Sequence, residues 1–152
     1  MTHPPTHRAL NETGRLAGID YGTHRIGIAI SDPDRILSSP LETYRRQTPE
    51  KDAAFFRRLV REERIVGFVV GLPLHLDDYV GDQAEVVIAF GNWLHETTDI
   101  PVDYQDERYT SVEAERLLRQ GKLTHKKRRE RRDRLAAQII LKEYLERHSP
   151  QT

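Results

Sequence analysis

Apolar and polar positions alternate with a period of two near the start of the chain. Leu16, Ala17 and Ile19 lead into Asp20, and Tyr21-Gly22-Thr23-His24 turns the chain. Ile26, Ile28 and Ile30 then alternate with Gly27, Ala29 and Ser31. This predicts a hairpin of strands over residues 15–22 and 25–32 with one packed face. Ile36–Arg45 reads as a third strand, with Pro40 marking an edge or a bulge. The period then changes. Pro49-Glu50-Lys51-Asp52 opens a helix running to about Arg64, with Phe55, Phe56, Leu59 and Val60 as its buried stripe.

Ile65–Gly71 is a continuous apolar run of strand length, as in the middle of a sheet covered on both faces. It ends in Gly71-Leu72-Pro73, a rigid loop at the carboxyl end of the strand, the edge where open α/β sheets bind ligands. Val80, Ala84, Val87, Gly91 and Leu94 predict an amphipathic helix between Tyr79 and Thr97, with Phe90 and Trp93 as packing residues. Val102–Arg108 is the next strand, and Thr110-Ser111-Val112-Glu113 a capping box whose helix stops near Gly121. Asp133, Leu135, Ala136, Ala137, Ile139, Ile140, Leu141, Tyr144 and Leu145 belong to a last helix. Residues 1–14 read as a flexible leader before one folded domain over 15–148; Pro4 and Pro5 keep His3 and His7 from sharing a metal on a helix.

Three places carry carboxylates that matter for chemistry. Asp20 ends a buried strand, where an unpaired charge is costly. It is either a cap on its own turn or one wall of a metal or phosphate site, with Gly18 and Gly22 leaving room for a backbone, a phosphate or an ion. Asp133 shares a helical face with Ala136, Ala137, Ile140 and Tyr144, so it either rides the packed stripe or serves the helix dipole from the solvent side. Asp106 and Glu107 are adjacent on a strand and point to opposite faces. Alternation groups Asp106 with Val102 and Tyr104, and Glu107 with Asp103 and Gln105, without choosing between them. Such acids, brought together, repel unless cations bridge them, and an all-oxygen set suits Mg²⁺ or Mn²⁺.

Charge changes the picture through its distribution. The 24 Lys plus Arg balance 24 Asp plus Glu across 152 residues. Yet residues 116–134 hold ten basic residues and two acidic ones, with Lys126, Lys127, Arg128, Arg129 and Arg132 in the densest run. A positive segment on a neutral protein predicts a polyanionic partner, here nucleic acid. The absence of cysteine excludes disulfide and thiolate chemistry and fits a reducing cytosol, so a cytoplasmic location is expected. No apolar run approaches the length of a membrane span.

Ile19-Asp20-Tyr21-Gly22 with Arg25-Ile26-Gly27-Ile28-Ala29, then Gly71-Leu72-Pro73-Leu74, Asp106-Glu107-Arg108, and Asp133 with Ala136-Ala137 and Ile140-Leu141 occur in an order that resembles the YqgF family. Its members are also called RuvX and are described as Holliday junction resolvases or pre-16S rRNA nucleases. The resemblance spans roughly residues 15–146. It implies an α/β, RNase H-like fold: a five-stranded mixed sheet, its first three strands antiparallel, with helices on both faces. It also implies Asp20, Glu107 and Asp133 as catalytic, metal-holding acids, with Arg25 and Arg108 on the phosphate side. Tyr109, Ser111 and Leu76-Asp77-Asp78 depart from the family pattern. The expected function is a metal-dependent nuclease for pre-rRNA or branched DNA, acting as a monomer or a homodimer without a membrane. The alternatives are a junction resolvase, a non-catalytic nucleic-acid binding module and, disfavoured by size, a phosphotransferase of the sugar-kinase type.

Overall fold

The computed structural model describes residues 13–73, 82–106 and 124–148. Five strands, β1 (Arg15–Tyr21), β2 (Arg25–Ser31), β3 (Ser38–Arg45), β4 (Ile65–Leu72) and β5 (Val102–Asp106), form one sheet in the order β3-β2-β1-β4-β5. Strands β1, β2 and β3 pair antiparallel; β4 lies parallel to β1, and β5 parallel to β4. The carboxyl ends of β1, β4 and β5 therefore meet along one sheet edge. Helices α1 (Pro49–Glu63), α2 (Asp82–Thr98) and α3 (His125–Arg147) complete the described architecture.

Alternation along each strand sorts the core into two layers. Ala17, Ile19, Ile26, Ile28, Phe68, Val70 and Val102 face one side, where α1 supplies Phe55, Phe56 and Leu59 and α2 supplies Ala84, Val87, Phe90 and Leu94. Phe56 sits edge-on to Phe55, Phe68, Phe90 and Trp93 at 5.1–6.3 Å between ring centroids, so Phe90 and Trp93 are packing residues as expected. Leu16, Ala29 and Val69 face the other side and meet Ala137, Ile140, Leu141, Tyr144 and Leu145 of α3. The helical stripe read from the sequence is thus the buried face of α3, and Asp133 rides it. A polar seam holds the helix to strand β3. Ser38 Oγ donates to the Gln138 carbonyl, Gln138 Nε2 donates back to the Ser38 carbonyl, and Thr43 Oγ1 donates to the Glu130 carbonyl.

Local chemistry sets the boundaries. Thr48 Oγ1 accepts from the Lys51 amide ahead of Pro49, and Arg64 ends α1 in the left-handed region, its N–H reaching the Val60 carbonyl. Strand β3 starts at Ser38 rather than Ile36. Asp32 Oδ1 accepts from the amides of Ile36 and Leu37 at 2.8 and 2.7 Å, which bends these residues into a loop and leaves both side chains exposed. These amide bonds also hold the Asp32 carboxyl below its ordinary range. The bulge anticipated at Pro40 is present, because Ile28 pairs with Glu42 while Ala29 pairs with Pro40. Helix α3 begins at His125, so Lys126, Lys127, Arg128, Arg129 and Arg132 lie in its first two turns. The amino-terminal leader up to residue 12, Leu76-Asp77-Asp78, and the capping-box helix over 110–121 lie outside the described residues.

Candidate nuclease site

Asp20 lies on the α3 side of the sheet, alternating with Leu16 and Gly18, one residue before the end of β1. Its register partner on β2 is Gly27. A Cβ at Gly27 would stand 2.0 Å from the Asp133 carbonyl oxygen and 3.0 Å from its Cα. The missing side chain is thus the seat on which the Asp133 backbone rests, directly across the ladder from Asp20. Gly18 does the same one turn further along α3, where a Cβ would meet Leu141 Cβ and the Ala137 carbonyl at 2.7 and 2.8 Å. The room at Gly18 is filled by helix backbone. The space at Gly22 is closed by the Arg25 carbonyl of its own turn.

The Asp133 carboxylate is held in place by Arg25, the first residue of β2, whose Nε donates to Oδ2 at 2.7 Å. Both side chains are largely buried, at 26% and 14% exposure. Next to this pair Arg45, the register partner of Arg25, approaches Glu130 of α3 at 3.9 Å. Arg46 closes the β1–β2 turn: its NH1 donates to the Tyr21 hydroxyl at 2.7 Å and to the Thr23 carbonyl at 3.2 Å, with the guanidinium over the Tyr21 ring. His24 is exposed in that turn.

The third position is read from β5. Tyr144 of α3 donates its hydroxyl to Asp103 Oδ2 at 2.8 Å, so Asp103 faces α3. Val102 and Tyr104 face the α1–α2 layer. Asp106 shares their parity and pairs with Leu72, on the side of the sheet away from Asp20. Gln105, buried on the α3 side, pairs with Gly71 in the row next to Asp20. Glu107 and Arg108 lie outside the described residues. Among the described residues no three His, Cys, Asp or Glu side chains gather as a metal-binding group. The backbone of Asp133 is brought against Gly27, the register partner of Asp20. The donor set of these two acids is all oxygen, the chemistry that hard divalent cations prefer, and Asp133 already takes a cation in the form of Arg25.

Lys126, Lys127, Arg129 and Arg132 are exposed along the first turns of α3, and Arg128 is half-buried. The first turn holds no acid, and Thr124 caps it by accepting from the Lys127 amide. Cations there oppose the helix dipole, each costing a few tenths of a kcal/mol to about 1 kcal/mol. Fold stability does not account for this cluster. Exposed positive charge of this density attracts anions in general. Sequence reasoning missed Gly27 as a seat for backbone, Arg45 beside Arg25 and Arg46 over the turn. A glycine within a period-two strand gave no sign of which neighbour approaches it.

A family model described as RuvX, Holliday junction resolvase, matches residues 14–147. A protein of Rhodopirellula baltica named "Putative pre-16S rRNA nuclease" is 52% identical over 134 residues, covering 88% of this chain and 78% of its own. One of the same name from Koribacter versatilis is 42% identical, covering 88% of both chains. Among solved structures, Thermus thermophilus RuvC in complex with a Holliday junction aligns with a TM-score of 0.50 at 14% identity, over 86% of this chain and 92% of that one. This likeness fixes the fold as RNase H-like, in agreement with the sheet order above. With its motifs, sheet and matched length in accord, the chain belongs to the RuvX family.

Proposed function

We propose that this protein is a divalent-metal-dependent nuclease that hydrolyses phosphodiester bonds in structured nucleic acid, with the 5′ end of pre-16S rRNA as its substrate. One observation carries the reading: Asp133 sits on Gly27, across the ladder from Asp20, with its carboxylate balanced by a cation. The names of the relatives supply the RNA. The parity of β5 turns Asp106 away from Asp20, and the family motif supplies Glu107 as the third acid.

Asp20, Glu107 and Asp133 would hold Mg²⁺ or Mn²⁺. When bound, such ions activate a water and neutralise charge developing on the phosphodiester and its leaving oxygen. The chain supplies the rest. Strand β1 and the α3 backbone fix two carboxylates on rigid elements. Arg25 sets the orientation of Asp133, and the exposed cations of α3 attract the phosphate backbone without reading its sequence. Arg108 is assigned to the phosphate side by the family motif.

The family description favours a second substrate, a four-way DNA junction. One assay compares both. Purified wild type and Asp20→Asn are offered precursor rRNA and a four-way junction with Mg²⁺, Mn²⁺ or EDTA. The reading expects metal-dependent trimming of the RNA by wild type and none by Asp20→Asn, at equal thermal stability. Cleavage of the junction alone would transfer the substrate to branched DNA. Undiminished cleavage by Asp20→Asn would remove the assignment, and salt-sensitive binding without cleavage under any metal would leave a binding module.

A further inference from the structure

The Arg25–Asp133 pair has a feature that simple orientation does not require. Among the described residues, Nε–H to Oδ2 is the single hydrogen bond of each side chain. The two terminal nitrogens of Arg25 and the second oxygen of Asp133 are therefore uncommitted there. A guanidinium stays charged at any pH the fold survives, so it leaves a carboxylate only when another anion displaces it. A divalent ion at Asp133 must compete with it for the same carboxylate. A phosphodiester arriving along the cationic turns of α3 offers Arg25 that other anion, in the paired-oxygen geometry that guanidinium binds best.

We propose that Arg25 is the resident cation of this site. It neutralises Asp133 until a substrate phosphate takes over the guanidinium, so that metal occupancy and nucleic-acid binding are coupled through one side chain. The inference rests on the metal-nuclease reading above and adds to it an order of events: RNA opens the carboxylate to the ion. Linkage requires the converse by the same factor, with metal tightening RNA binding.

The test uses the full chain and reads Mn²⁺ binding, from the electron paramagnetic resonance of free Mn²⁺, without cleavage. Wild type, Arg25→Gln and Arg25→Lys are titrated alone and with a saturating 2′-O-methyl RNA covering the precursor 5′ end. Without RNA, Arg25→Gln binds Mn²⁺ about fivefold or more tighter than wild type, within the usual range of coupling between sites. Arg25→Lys restores most of the wild-type weakness. With RNA bound, Arg25→Gln and wild type agree. Weaker binding by Arg25→Gln in both states would make Arg25 an orienting residue only, and equal binding in the RNA-free state would show no competition; either result overturns the coupling.

A measurement on the unmodified protein guards against a variant that fails to fold. RNA added without metal shifts the Arg25 Nε–H resonance as its bond to Asp133 breaks; an unmoved resonance overturns the proposal. If Arg25 fails this test while Mn²⁺-dependent cleavage persists, the nuclease reading stands alone. If wild type binds no Mn²⁺ with or without RNA, that reading falls and the coupling falls with it.

Discussion

Gly27→Ala is the smallest change that reaches the site without touching a functional group. The added methyl carbon would lie 2.0 Å from the Asp133 carbonyl oxygen, 2.4 Å from its carbonyl carbon and 3.0 Å from its Cα. All three are backbone atoms of a helix locked to β3 by the Ser38–Gln138 and Thr43–Glu130 bonds, so no side chain can swing aside. Restoring ordinary contact moves this part of α3 outward by about 1 Å, and overpacking of that kind costs about 1–3 kcal/mol. The same movement carries Asp133 away from Asp20. A misplacement of about 1 Å in a catalytic group costs on the order of 100-fold in rate.

Gly18→Ala is the internal comparison. It meets Ala137 and Leu141 at 2.8 and 2.7 Å, further along α3 and away from Asp133. Urea unfolding and single-turnover cleavage of the same RNA, measured on both variants, separate the two effects. Gly27→Ala is expected to lose far more activity per unit of lost stability than Gly18→Ala. Wild-type cleavage by folded Gly27→Ala would refute the argument that this glycine sets the position of Asp133.

Three further outcomes follow from the packing and the charge. Burial with the neighbouring carboxylates of Asp52 and Asp103 pushes the hydroxyls of Tyr44 and Tyr104 up to about 12, and Tyr144 is raised further by burial and its bond to Asp103. Above the ordinary tyrosine value of about 10 the unfolded chain releases these protons while the native state keeps them, so stability is level below that pH and falls as it rises. Unfolding midpoints between about pH 9 and 11 (about one unit either side of that ordinary value) check this, and Tyr144→Phe should flatten the decline. At neutral pH the same variant leaves Asp103 short of a donor and should cost about 1–3 kcal/mol. Replacing Lys126, Lys127 and Arg129 by Gln should lower the salt dependence of binding by about 0.7 in log–log slope per lost contact on single strands, or 0.9 on duplex. That change should raise KM and leave kcat nearly unaltered, because these side chains attract the backbone without touching the acids.

Much of this was legible in the residues. The hairpin, the α1 stripe and the buried β4 followed from periodicity because each packs a regular face on the sheet. Asp133 stood out for a physical reason: a carboxylate on the same helical face as two alanines and an isoleucine needs a partner, and Arg25 is that partner. Other features depended on contacts that spacing does not encode. Ile36 and Leu37 have strand-like composition, yet two amide bonds to Asp32 take them out of β3. The face of Asp106 was undecidable from alternation alone, since either parity of β5 fits its sequence; the Tyr144–Asp103 bond, over 41 residues, decides it. Gly27 looked like an ordinary strand residue because its neighbour arrives from the far end of the chain.

Diffraction from crystals of the complex with the uncleavable 2′-O-methyl RNA, soaked in Mn²⁺ and recorded at a wavelength where manganese scatters anomalously, tests the central claim most directly. The expected result is an anomalous peak beside the carboxylates of Asp20 and Asp133, with Glu107 as the further acid and Arg25 moved from Asp133 onto a phosphate of the RNA. Manganese bound elsewhere, or held by Asp106 on the α1–α2 side of the sheet, would contradict it.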